Sequence, residues 1–202
     1  MKTEKHTRRA LTRGITLIAA LGLSIGSLQA KDYQLTKQDI KWTGSMPAKT
    51  HEGQLTLKSF DADITDSGKV TSLEAVIDMT KINVTDLEGK KRDKLTGHLE
   101  SDDFFHVEKH PTATFVLDEH KGEKFHGTLT IRGVSQKVAL PARVSGHPDR
   151  GWILSGDFDY DRNEFGVDYQ NSGLFGFMNA AKSKLIDDMI DVSVQIRLEP
   201  RG

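Results

Sequence analysis

Paired histidines and paired carboxylates are the residues of this chain whose types and spacing could first suggest chemistry. His106 and His110 are four residues apart, a spacing that would place two metal ligands on one face of a helix. Pro111 follows directly, however, and proline disfavours helix at the residue before it. No third ligand stands at a recognisable spacing. The histidines therefore predict no metal site.

The carboxylate pairs Asp102-Asp103 and Asp187-Asp188 could serve acid–base catalysis, but adjacent carboxylates more often cap helices or lie in solvent. The chain has no Gly-x-Ser-x-Gly motif, and no motif pairs a nucleophile with a base. It also has no cysteine, which excludes disulfides, thiolate metal sites and a cysteine nucleophile. We therefore predict a protein that is not an enzyme and needs no cofactor.

The first thirty residues differ from the rest. Basic residues crowd positions 1–13, an uncharged apolar run covers 14–25, and small residues lead to Ala30. This order is typical of a secretory signal peptide, and the run is shorter than the roughly 20 apolar residues of a membrane span. We predict that residues 1–30 are removed after Ala30, leaving one domain over 31–202. Arg8-Arg9 also resembles a twin-arginine signal, so the export route stays open.

The charge of the predicted mature domain argues against a nucleic-acid partner. Without residues 1–30, the chain has 23 Lys and Arg against 28 Asp and Glu. A nucleic-acid-binding domain is expected to carry a basic patch or stripe, and a mildly acidic domain gives no support for one.

Alternation of apolar and polar residues runs through most of residues 40–198 and predicts strands with one buried face. It is clearest from Ile190 to Leu198, where every second residue is apolar. Such strands suit an antiparallel sheet. Eight segments show the pattern, around Ile40–Trp42, Gln54–Ile64, Leu73–Met79, Ala113–Leu117, Phe125–Ile131, Val138–Val144, Trp152–Tyr160 and Ile190–Leu198.

Three local features modify the strand pattern. The apolar phase slips between Leu57 and Phe60, which predicts a β-bulge near Lys58-Ser59. Residues 88–101 and 174–187 lack alternation and carry apolar residues at helical spacing, so both are predicted to be helical. Eight long antiparallel strands favour closure into a barrel, which removes edge strands and has room for side chains or one small ligand. We predict an all-β, extended eight-stranded antiparallel barrel with one or two short helices.

Three blocks of sequence resemble the signature of the YceI-like family, which comprises exported, lipocalin-like proteins associated with polyisoprenoid binding. The first block, residues 94–115, contains His98-Leu99, Ser101, Asp103-Phe104-Phe105, His110-Pro111 and Phe115. The second is the Gly-x-Leu-Thr-Ile-x-Gly-Val segment at 127–134, and the third is Arg-x-x-Phe-Gly-Val at 162–167. Arg92-Asp93 lies farther from His98-Leu99 than in members with a compact motif, so no role is carried over to Arg92.

The resemblance implies a long lipocalin-like barrel whose interior holds an extended isoprenoid tail, such as that of a polyprenyl quinone. It also implies a periplasmic location. Such a tail has few polar atoms, so a lining of apolar side chains would be adequate to bind it. At about 25 cal/mol per Å² of apolar surface, its burial contributes many kcal/mol before ordering costs.

Eight apolar residues are candidates for ligand contact. In an extended chain Phe104 and Phe105 point in opposite directions, so one could face the barrel while the other packs under the first helix; both could equally be core. Phe115 and Phe158 lie on inward faces by alternation. The remaining four belong to an irregular connection that we interpret as a lid or mouth: Phe165, Phe175, Phe177 and Met178.

Two other functions stay open at this stage. The first is a stress-related or interaction barrel whose core is filled by its own side chains, since barrels of this size can be plugged in that way. The second is an enzyme acting on a hydrophobic substrate, which would need polar groups converging inside the barrel. Transient membrane contact and a homodimer also stay open.

Overall fold

The computed structural model describes residues 33–46, 49–167 and 187–201. The helix α1 (Gly89–Glu100) and two short 3₁₀ helices (Met79–Lys81 and Arg162–Phe165) accompany eleven strands in this part of the chain. The strands are β1 (Tyr33–Met46), β2 (Lys49–Leu55), β3 (Leu57–Ile64), β4 (Val70–Asp78), β5 (Asn83–Val84), β6 (Thr112–Lys121), β7 (Lys124–Ile131), β8 (Val134–Pro141), β9 (Arg143–His147), β10 (Gly151–Asp161) and β11 (Met189–Pro200).

The strands form two antiparallel sheets. The first has the order β5-β2-β1-β11-β10-β9, and the second has the order β3-β4-β6-β7-β8. The chain passes from one sheet to the other at two corners, because β2 runs into β3 through Thr56 and β8 runs into β9 through Ala142. With each of these pairs counted as one bent strand, the eight predicted strands are all present, and only the two-residue β5 is additional.

The predicted all-β, lipocalin-like fold is therefore confirmed, with one difference. Its hydrogen bonding is divided between two sheets instead of closing into one ladder. Bonds outside the ladders join the sheets at the corners: the Leu57 amide donates to Gln38 Oε1 at 2.7 Å, and the Asp78 amide donates to the Thr56 carbonyl at 2.8 Å. At the other corner a side chain on Gly156 would collide with the Pro141 carbonyl, so glycine permits the close approach of β8 and β10.

Two local predictions are also confirmed. The pairing of β3 with β4 shifts between Leu57 and Ser59, which places the predicted bulge at Lys58. The helix predicted over 88–101 is α1. The helix predicted over 174–187 lies outside the described residues, except for Asp187. In the described part of the chain, no helix has both the length and the apolar character needed to cross a membrane.

The hydrophobic core is divided between the two ends of the barrel. At the end formed by the β3–β4, β6–β7 and β9–β10 turns, Trp152 is 4% exposed and packs in one cluster with Ile64, Val70 and Leu198. We call the opposite end the rim. There α1, the segment 101–111 and the second 3₁₀ helix supply a second cluster, which includes Leu99, Phe104 and Phe165. Strands that begin at the first end therefore finish at the rim, and their last inward-facing residues lie there.

Candidate functional site: an apolar cavity with a polar rim

The two sheets surround a cavity of about 430 Å³. This volume lies within the range of about 300–1,000 Å³ that is common for small-molecule sites. The described residues that line the cavity include no Asp, Glu, Lys or Arg. Most are aliphatic or aromatic, as expected for a site that binds through apolar contact.

Strand pairing orders the wall of the first sheet into rows that cross β2, β1, β11 and β10. At the rim, one row contains His51, Gly44, Ile190 and Tyr160. The next row inward contains Gly53, Trp42, Val192 and Phe158, and the third contains Leu55, Ile40, Val194 and Gly156. The wall therefore changes from partly polar at the rim to apolar further in.

Two glycines explain why two of the large aromatic side chains of the wall, Trp42 and Phe115, do not fill the cavity. A Cβ on Gly53 would collide with the indole of Trp42, and a Cβ on Gly127 would lie 2.7 Å from the ring of Phe115. Each ring thus occupies the space directly over a glycine of a neighbouring strand. Because the rings lie against the wall, they do not project across the lumen.

The structure places Phe115 and Phe158 on the cavity wall, where both remain partly accessible. Phe104 and Phe105 also reach the wall, but they are only 3% and 9% exposed. Phe165 is not among the lining residues; it is buried and packs edge to face against Tyr160, with ring centroids 5.5 Å apart. Phe175, Phe177 and Met178, and with them the predicted lid, lie outside the described residues.

The expectation that Phe104 and Phe105 point in opposite directions is wrong, because the chain turns at this point. The Phe105 amide donates to the Leu99 carbonyl at 3.1 Å and the His106 amide to the Ser101 carbonyl at 2.7 Å, while His106 adopts φ of 49°. The two phenylalanine rings consequently meet edge to face at 4.8 Å. Both belong to the rim cluster.

His106 and His110 lie in the same turn, and their ring centroids are 5.9 Å apart. Burial is the main reason why the pKa of His110 is lowered, and the nearby charges of Lys109, His106 and Arg132 add to the effect. Its ring packs over Gly133, the second residue of the β7–β8 turn. Among the described residues, no group of three His, Cys, Asp or Glu side chains is arranged to hold a metal ion.

Three polar residues of the cavity lining, His98, His51 and Tyr160, lie at the rim; the lining also includes Thr114 and Ser155. His98, on α1, lines the cavity and packs edge to face against Phe104 at 5.8 Å. His51 also lines it, and its Nδ1 lies 2.8 Å from Asp86 Oδ2. Desolvation opposes ionisation of Asp86, but the bonds it accepts from the Glu52 amide and from His51 outweigh it, so the pKa of this carboxyl is lowered. Burial raises the pKa of the Tyr160 phenol well above its ordinary value, so this group stays protonated.

Of these rim residues, Tyr160 could be placed from its sequence because it continues the inward face of Phe158. His51 could not. Its strand begins with Lys49, Thr50, His51 and Glu52, a polar run without an apolar alternation. A role for Gly44 could not be predicted from the sequence either, because the effect of a missing side chain depends on the residues that face it across the sheet.

Comparisons with known proteins agree with this architecture. The family model of the YceI-like domain matches residues 28–198 of the sequence. A UPF0312 protein of Pseudomonas aeruginosa (strain LESB58) is 33% identical over 156 residues, covering 73% of this chain and 77% of the relative. Protein YceI of Salmonella arizonae is 33% identical over 147 residues, covering 69% of this chain and 74% of the relative.

Two solved structures share the fold at low sequence identity. Burkholderia cenocepacia BcnA has a TM-score of 0.65 and 18% identity, covering 82% of this chain and 99% of the other. A polyisoprenoid binding domain from Saccharophagus degradans has a TM-score of 0.59 and 14% identity, covering 85% of this chain and 99% of the other. The family model spans most of the chain, and two relatives share a third of the aligned residues; the protein belongs to the YceI-like family.

Proposed function

We propose that this protein is an exported, periplasmic carrier that holds an isoprenoid-tailed lipid in its barrel. The observation that supports this most directly is the apolar cavity of about 430 Å³. The N-terminal pattern of basic, apolar and small residues supports export. The similar fold of the polyisoprenoid binding domain from Saccharophagus degradans supports the ligand class.

The energetics suit a long hydrocarbon chain. Each CH₂-sized group transferred from water to the cavity contributes about 0.8 kcal/mol. Ordering the tail opposes this gain, but a tail of several isoprene units supplies enough groups to exceed the cost. No polar contact along the shaft is needed, which agrees with a described wall that carries no ionisable carboxylate, lysine or arginine.

The arrangement of aromatic side chains favours a carrier over a barrel with a filled core. A filled core would direct the rings of Trp42 and Phe115 into the lumen. Instead, each lies over a glycine, at Gly53 and Gly127 respectively. Binding is also favoured over catalysis, because the polar side chains of the described wall are few and His51 is paired with Asp86 rather than with a nucleophile.

The experiment that tests the proposal uses the full chain, expressed with its own N-terminus in an exporting host and purified without detergent. Organic extraction and mass spectrometry of the exported fraction should yield one isoprenoid-tailed lipid in near-stoichiometric amount. The intact mass of the same sample should correspond to residues 31–202. A protein that is empty and also takes up no added polyprenyl quinone would contradict the carrier function.

Phe115→Ala combined with Phe158→Ala should weaken lipid binding much more than it lowers the free energy of unfolding. Both rings border a space that is already empty, so their removal enlarges a cavity instead of opening one in packed core. Phe104→Ala is the matched comparison. That ring is 3% exposed, and its loss should cost about 3–5 kcal/mol, the usual effect of removing a buried phenylalanine.

Urea unfolding and lipid titration of the two variants provide the measurement. If the double variant loses as much stability as Phe104→Ala and binds lipid normally, Phe115 and Phe158 are core residues and do not contact ligand.

A further inference from the structure

The rim row of the cavity wall has its polar side chains at its two ends and little bulk between them. His51 and Tyr160 are separated by Gly44 and Ile190. Adjacent strands lie about 4.8 Å apart, so the two polar residues face a gap roughly three strands wide. Gly44 has no side chain, so Ile190 is the one residue between them in this row that carries a side chain.

Tyr160, at one end of the row, carries a hydroxyl that can form hydrogen bonds. It lines the cavity, and its ring contacts that of Phe165 edge to face. Within residues 33–46, 49–167 and 187–201, its hydroxyl makes no hydrogen bond. The charge of Arg162 acts on it, but that guanidinium is already bonded to Val167, Asp187 and Asp188. A phenol that stays protonated in a buried setting can donate one hydrogen bond and accept another.

His51 offers the complementary group. Its Nδ1 is committed to Asp86 at 2.8 Å, and the same carboxylate accepts a bond from the Glu52 amide at 3.1 Å. A carboxylate can only accept, so Nδ1 carries the proton. In the neutral ring, Nε2 is then the acceptor, and it has no partner among the described residues.

We propose that the rim row is a head-group site for an uncharged hydroxyl or carbonyl, in which Tyr160 donates to the oxygen of either group and His51 accepts from a hydroxyl, and that the site discriminates against phosphate and diphosphate. This inference rests on the proposed carrier function and specifies which class of isoprenoid the cavity takes. A diphosphate would lie beside the Asp86 carboxylate without a lysine or arginine on the described wall to neutralise it. Bringing a charged group into such a site is costly unless it is paired.

The test compares four ligands that carry the same farnesyl tail: a quinone, the alcohol, the hydrocarbon and the diphosphate. Binding is measured with the full mature protein by displacement of the apolar fluorophore N-phenylnaphthylamine. The wild-type protein should bind the quinone and the alcohol more tightly than the diphosphate. Tyr160→Phe should weaken quinone binding by about 3- to 10-fold, the equivalent of one neutral hydrogen bond, and leave hydrocarbon binding unchanged.

Two further variants make the result specific. His51→Phe should weaken binding of the alcohol, which needs an acceptor for its hydroxyl proton, more than binding of the quinone, which has no proton to donate. Tyr33→Phe is the matched control, because the Tyr33 hydroxyl bonds to the Pro148 carbonyl at the opposite end of the barrel. It should leave the binding of all four ligands unchanged.

The outcomes distinguish failure of the head-group site from failure of the carrier function. If the protein binds the hydrocarbon but prefers the diphosphate, or if Tyr160→Phe changes nothing, the head-group site is refuted while the carrier function stands. If none of the four ligands displaces the fluorophore, the carrier function fails, and the head-group site fails with it.

Discussion

Gly44→Leu should abolish most lipid binding while leaving the fold intact. The position lies on the inward face of β1, and its backbone is not in the left-handed region that favours glycine. A Cβ there would have its nearest neighbours at 3.6 Å, on Ile190, and at 3.9 Å, on Trp42. The new side chain can therefore be accommodated without collision, but only by occupying the lumen at the level of the rim.

The size of the effect follows from the space that the ligand loses. A leucine side chain adds four CH₂-sized groups to the cavity, and displacement of two to four ligand groups costs roughly 1.5 to 3 kcal/mol. This corresponds to about a 10- to 100-fold increase in Kd. Gly44→Ala should give a smaller loss in the same direction. Fluorophore displacement measures the affinities, and urea unfolding shows that the variants remain folded.

Gly97→Leu is the control for introducing leucine at a glycine. Gly97 is exposed on α1, and a Cβ there would have no neighbour within 4 Å. Because leucine favours helix over glycine by roughly 1 kcal/mol, this variant should be slightly more stable and bind lipid normally. Normal lipid binding by Gly44→Leu would show that the ligand does not pass or occupy the level of the rim row.

Much of the fold was predictable from local pattern, and its corners were not. Alternation from Ile190 to Leu198 reflects burial on one face of β11, which any single strand reports through its own sequence. The passage through Thr56 or Ala142 from one sheet to the other depends on partners distant in sequence, such as Gln38 for the Leu57 amide. Nothing in the local pattern marks where a bent strand changes its sheet.

The candidate site, like the fold, was predictable only in part from local sequence pattern. Alternation placed Phe115 and Phe158 on inward faces, but it gave no information on whether their rings cross the lumen. That depends on the registers that bring Gly127 beside Phe115 and Gly53 beside Trp42. The wrong orientation for Phe104 and Phe105 has a related origin, because the left-handed His106 reverses the chain where the sequence suggested extension.

The structure explains the third motif of the family resemblance, Arg-x-x-Phe-Gly-Val at 162–167. Arg162 is fully buried, Phe165 is 1% exposed and Val167 is buried. Gly166 adopts φ of 70°, which ends the second 3₁₀ helix in the left-handed region where glycine is favoured. Its carbonyl accepts a bond from the guanidinium of Arg132 in the β7–β8 turn. The segment 162–167 is thus a structural anchor of the rim.

Arg162→Met should lower the free energy of unfolding by about 3 kcal/mol. The guanidinium donates to the Val167 carbonyl at 2.5 Å, to the Asp187 carbonyl at 3.2 Å and to the Asp188 carboxylate at 3.0 Å. Methionine fills much of the same space but leaves these acceptors without their donor. Arg162→Lys should fall between the wild type and Arg162→Met, because an ammonium keeps the charge but cannot reproduce the planar fork.

Urea unfolding of the two variants, with Arg150→Met as the control, provides the measurement. Arg150 is exposed in the β9–β10 turn, so its replacement should change stability by no more than about 0.5 kcal/mol.

Arg162 joins the end of β10 to the start of β11, since its own amide also donates to the Asp188 carbonyl at 2.9 Å. Loss of stability should therefore be accompanied by weaker lipid binding, because β10 and β11 carry Tyr160 and Ile190 in the rim row. Wild-type stability in Arg162→Met would mean that the buried guanidinium makes no net contribution, and the arginine of the motif would then need a functional explanation.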